Sequence, residues 1–125
     1  MTTTTSRVSR LDATGICLSA LCVVHCLAVP LIATGALAWM ASESIHTGLT
    51  VALLVIVLAV ALPGYRRHRR AIVPALLTGG VVLLGGAVLV GEALGELGEV
   101  GLTVLGSVVL IAGHVLNLRL GSASA

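Results

Sequence analysis

Between residues 22 and 26 the chain reads Cys22-Val-Val-His25-Cys26. On a helix, residues three and four apart share a face, so these three side chains occupy one turn and can grip a metal ion together. Thiolate and imidazole suit zinc, copper(I) and other soft d¹⁰ ions, with mercury(II) at the soft end. Binding must displace thiol protons, so affinity rises with pH. Two thiolates also neutralise a divalent cation, which offsets much of its desolvation cost between helices. Taken singly, each cysteine also reads as a small buried hydrophobe, and His25 as an imidazole hydrogen-bonded to a neighbouring helix. A redox dithiol is the sharper competitor. Side chains at i and i+4 run parallel, however, and close a disulfide badly. Dithiol oxidoreductases instead place two residues between the cysteines at a helix start.

Other ionisable groups could complete or feed such a site. The axial rise of about 1.5 Å per residue brings His114, on a later apolar segment, to about the level of Cys22. Cys22, Cys26, His25 and His114 are therefore the expected metal ligands. His46 and Glu92, with Glu43, read as an approach from the opposite membrane face, or simply as solvated helix ends. Cys17 lies one turn away and off the shared face. Pro30 removes the hydrogen bond to the Cys26 carbonyl and should kink the helix there.

The elements that must position these groups are apolar helices. The chain has 125 residues, 58% of them hydrophobic and only 10% charged, with a mean hydropathy of +1.15. Soluble domains average about 25% charged residues, so a water-soluble core is excluded. Each membrane crossing needs about 20 apolar residues. Four stretches qualify: 13–39, interrupted by Pro30; 47–62, stopping at Pro63-Gly64; 72–91; and 100–118. Lipid satisfies no backbone hydrogen bonds and no long β-alternation is present. The predicted fold is therefore an all-α membrane protein, a four-transmembrane-helix bundle. Residues 1–12 form the expected N-terminal segment, 13–119 the membrane domain and 120–125 a disordered tail. The first apolar stretch is too long for a signal peptide and precedes no polar mature domain.

All seven basic residues are arginines: Arg7, Arg10, Arg66, Arg67, Arg69, Arg70 and Arg119. With four crossings they share one side, which the positive-inside rule makes cytoplasmic, together with both termini. Glu43, His46, Glu92, Glu96 and Glu99 fall on the other side, and only Asp12 runs against the trend. The basic loop around His68 would meet anionic headgroups. No nucleic-acid partner is expected. Glycines such as Gly79-Gly80, Gly85-Gly86 and Gly106 allow close helix packing and are compatible with a homo-oligomer.

The segments Leu18-Ser-Ala-Leu-Cys22-Val-Val-His25-Cys26-Leu-Ala-Val-Pro30, Gly64-Tyr-Arg-Arg-His68, Gly106-Ser107 and His114-Val-Leu-Asn117-Leu-Arg119 together resemble the MerC-domain membrane proteins. The resemblance spans about residues 18–119. It implies a multi-pass inner-membrane protein of the mercury-resistance transporter type, not an enzyme, that takes up Hg(II) through helix-one cysteines. By position that role falls on Cys22 and Cys26. The mercury-resistance members carry a closer cysteine pair and a second pair in a cytoplasmic tail. Here the pair is Cys-x-x-x-Cys with His25 inside it, and no cysteine follows Arg119. The added histidines make Zn(II) an alternative substrate to Hg(II). No organic cofactor is expected. A non-transporting metal sensor or assembly partner and a membrane thiol oxidoreductase are the rival functions.

Overall fold

The computed structural model describes residues 2–32 and 42–123. Helix α1 spans Thr2–Ile32 and α2 spans Glu43–His68. The helical run Ile72–Ala123 is broken at Gly95, whose φ of 73° and ψ of 171° are not helical. A side chain is strained at that φ, so glycine is the residue that lets the chain reverse there. We number the two arms α3 (72–94) and α4 (96–123). Among the described residues, four helices are long and apolar enough to cross a membrane: Ser9–Ala28, Ser44–Arg66, Ile72–Gly91 and Ala93–Ser122.

Each helix buries one stripe at alternating steps of three and four residues. On α1 the stripe is Asp12, Gly15, Ser19, Cys22 and Cys26; on α2 it is Leu53, Val57, Val60 and Gly64. On α3 it is Val73, Leu77, Gly80, Leu84, Ala87 and Gly91, and on α4 Thr103, Ser107, Leu110, His114 and Asn117. That spacing is the seam of near-parallel helix packing. The outward positions are large and apolar, among them Leu21, Val24, Leu27, Val55, Leu58, Val82, Leu89 and Leu105. In water they would be an aggregation hazard; in a bilayer they are the lipid-facing surface.

The α3–α4 arms meet where glycine removes the side chain. A Cβ on Gly80 would lie 2.9 Å from the Gly106 carbonyl oxygen, and one on Gly106 would lie 3.0 Å from that of Gly80. Gly79, Gly85, Gly86 and Gly101 have open space instead. Close approach thus explains only part of the glycine content.

Several boundaries differ from the sequence expectation. Helix α1 starts at Thr2, before the expected span. Helix α2 runs through Pro63 to His68, because losing a single backbone hydrogen bond is tolerated in apolar helices. It ends where Arg69 turns left-handed (φ 52°) and donates its N–H to the Tyr65 carbonyl at 2.8 Å. The connection expected over 92–99 is helical apart from Gly95, and α4 continues to Ala123 through the expected tail. There the Ser122 hydroxyl donates to the Leu118 carbonyl at 3.0 Å. Residues 33–39 of the first expected span lie outside the described residues. So do the side chains of Pro30, Glu43, Arg67, His68 and Glu92.

Candidate metal centre

Cys22 and Cys26 sit on consecutive turns of the buried α1 stripe, where a helix repeats its face every three to four residues. Both thiols are free and buried. The first turn of α2 lays His46 against them. The ligand atoms of Cys22, Cys26 and His46 all lie within 4.8 Å of one another. Two sulfurs and one imidazole nitrogen at that spacing can converge on one ion with modest side-chain movement.

Helix α4 backs this cluster with polar groups at four-residue spacing. Ser107 lies beside the Cys22 thiol and Thr103 beside the Cys26 thiol. Glu99 places Oε1 3.2 Å from His46 Nδ1, and Thr103 Oγ1 lies 3.4 Å from His46 Nε2. Thr103 also donates to the Glu99 carbonyl at 2.9 Å. A carboxylate on one ring nitrogen of a histidine orients the ring and frees the other nitrogen for a ligand, the usual outer support of a metal-bound imidazole.

The other expected ligands lie elsewhere. His25 is half-buried on the same turn of α1 but outside the tight cluster. His114 is toward the arginine end of the bundle, with its Nδ1 2.8 Å from Asp12 Oδ1. Its ring packs where a side chain on Gly15 would stand. Gly15 is seven residues from Cys22, about 10 Å along a helix. The expected shared level of His114 and Cys22 therefore does not hold. That level is counted from a first span entering at residue 13 and a fourth beginning at residue 100, whereas His114 packs against Asp12 and Gly15, at the very start of the first span.

Sequence reasoning missed four contributors: Asp12, Thr103, Ser107 and Glu99. It also placed His46 only on the approach. A signal did exist, since Thr103, Ser107, His114 and Asn117 repeat at helical spacing on an otherwise apolar segment. Asp12 was the lone acid on the arginine side. What was lacking was which helices touch.

No curated protein and no solved structure matches the chain significantly. The family model described as "MerC mercury resistance protein" matches residues 12–119. That stretch runs from the buried Asp12 through all four apolar helices to Arg119 and takes in both cysteines of the cluster. The chain therefore belongs to the MerC mercury resistance protein family.

Proposed function

We propose that this membrane protein binds a soft or borderline divalent metal ion, Hg(II) or Zn(II), at Cys22, Cys26 and His46 and passes it inward through the bundle. The carrying observation is the convergence of two buried thiols and an imidazole within 4.8 Å between α1 and α2. The charge balance supports it, because two thiolates cancel the ion's charge where lipid and protein cannot solvate it. His25 stands near as an exchanging ligand, and Glu99 holds His46 in orientation. By the positive-inside rule the arginine end faces the cytoplasm, and membership of the MerC family supports a place in the inner membrane. The metal then enters from the His46–Glu99 end.

The test is elemental analysis of the purified protein in detergent, loaded with Zn(II) or Hg(II), beside the Cys22→Ser/Cys26→Ser variant. We expect about one tightly held ion per chain in the parent and a loss of at least about 1,000-fold in affinity in the variant, since both thiolates are removed. Equal metal content in the two proteins sinks the proposal. Transfer into chelator-loaded liposomes by the parent separates a transporter from a sensor that binds without flux.

A further inference from the structure

Below the thiols, the same α1–α4 seam carries a second polar group that the cysteine site does not use. Asp12 and His114 are 1% and 0% exposed, and Asn117 is 3% exposed. Asn117 Nδ2 donates to Asp12 Oδ2 at 2.7 Å, and His114 Nδ1 lies 2.8 Å from Asp12 Oδ1. Where Nδ1 donates to the carboxylate, the neutral ring carries its lone pair on Nε2. That nitrogen is fully buried and has no hydrogen-bond partner.

Two features make this more than a packing clasp. The clasp spends Nδ1 of His114 on Asp12 and leaves Nε2, at the other edge of the ring, buried without a partner. Moreover, the path between the thiols and His114 is lined by two further orphans. The Ser19 and Ser107 hydroxyls are both buried without a partner. Ser19 is three residues from Cys22 and four from Gly15, against which His114 packs, so each step is about 4–6 Å. Orphaned buried polar atoms are uncommon and call for a ligand or a function.

We infer that His114 Nε2 is a second, weaker cation station, held ready by Asp12 and Asn117, which accepts a borderline divalent ion from the thiolates on its way to the arginine end. This rests on the metal-handling function proposed above and adds a separate downstream site to it. A carboxylate on the far ring nitrogen is the outer support that metal-bound histidines ordinarily have. In the transfer, metal–sulfur bonds break, a metal–Nε2 bond forms, and the vacated thiolates recover protons from solvent. Nitrogen and oxygen donors bind such an ion less tightly than two thiolates, so the second stop favours release.

Zinc(II) titration in detergent tests the station without any need for transport. The proteins are the parent, Cys22→Ser/Cys26→Ser, and that variant with His114→Gln added; ¹⁵N NMR of the imidazoles is recorded on each. We expect the cysteine variant to keep a weaker zinc site, with the Nε2 resonance of His114 shifting on zinc addition. Adding His114→Gln should weaken that residual binding at least 10-fold. His114→Gln in the parent should leave the tight thiolate site filled, which also shows that the bundle is intact. Identical residual binding with and without His114 overturns the inference. So does a His114 ring that titrates with pH but ignores zinc, which would make the pair a proton carrier. A parent that lacks the tight site yet keeps the His114-dependent one would refute the cysteine function alone.

Discussion

The two ends of the α1–α4 seam are built from the same helical repeat and hold opposite chemistry. Toward the α3–α4 bend, Cys22, Cys26 and His46 converge as polarisable ligands, and neither thiol is in a disulfide. Toward the arginine end, Asp12, His114 and Asn117 are short, hard and hydrogen-bonded to one another at 2.7 and 2.8 Å. One end is open to a soft ion, while the other closes helix on helix. The contrast with α2 and α3 is equally informative, since their stripes of Leu53, Val57, Val60, Leu77 and Leu84 are wholly apolar. Among the described residues the buried polar side chains all lie on α1 and α4, and His46 joins them from the first turn of α2.

Removing the acid breaks the comparison most sharply. Asp12→Ala leaves the buried His114 and Asn117 without their shared acceptor, and loss of one partner of such a group costs about 3–5 kcal/mol. Unfolding in mixed detergent micelles should show that destabilisation, whereas affinity at the thiols changes less than about two-fold because the sites are some 10 Å apart. A stability equal to the parent would mean that the lower end does not clasp the helices.

Acidity should act on the opposite end. Each thiol must lose a proton when metal binds, so the bound state carries fewer protons and affinity falls as pH falls. With two protons displaced, metal affinity should drop by up to about 100-fold per unit below the range in which the thiols ionise. Isothermal titration at several pH values, in two buffers of different ionisation enthalpy, counts the protons released. A pH-independent affinity would remove the thiolates from the site.

The smallest effect sharpens the part played by α2. His46→Ala deletes one of three converging ligands and should weaken metal binding about 10-fold, within the range seen when support for a metal ligand is lost. The expected order is therefore the cysteine pair well above His46, with His25→Ala below both. A His25 effect larger than that of His46 would move the third ligand back onto α1.

Much of this protein was legible along the chain. Four apolar stretches of bilayer length, the absence of strand alternation and the arginine distribution lead to a four-helix bundle by hydrophobicity and backbone satisfaction alone. Cys22 and Cys26 share a face because helical geometry is local, and the helix that carries them is the one the structure contains. Local rules also mislead at breaks. Proline reads as a stop, yet α2 continues through Pro63 because one lost hydrogen bond does not outweigh the cost of exposing backbone to lipid.

Only the tertiary structure decided which faces meet. His46 is 20 residues after Cys26 and Thr103 is 57 after His46, and nothing periodic links them. Asp12 finds His114 at a separation of 102 residues and Asn117 at 105. Gly15 and Gly64 make room for those side chains, with Gly15 under the His114 ring and Gly64 against the Asn117 amide. Sequence sets each helix and its buried stripe, because propensity and burial act within a few turns. Rotation and axial level between helices are settled by side-chain fit and buried polar pairing across the bundle, interactions that no single segment contains.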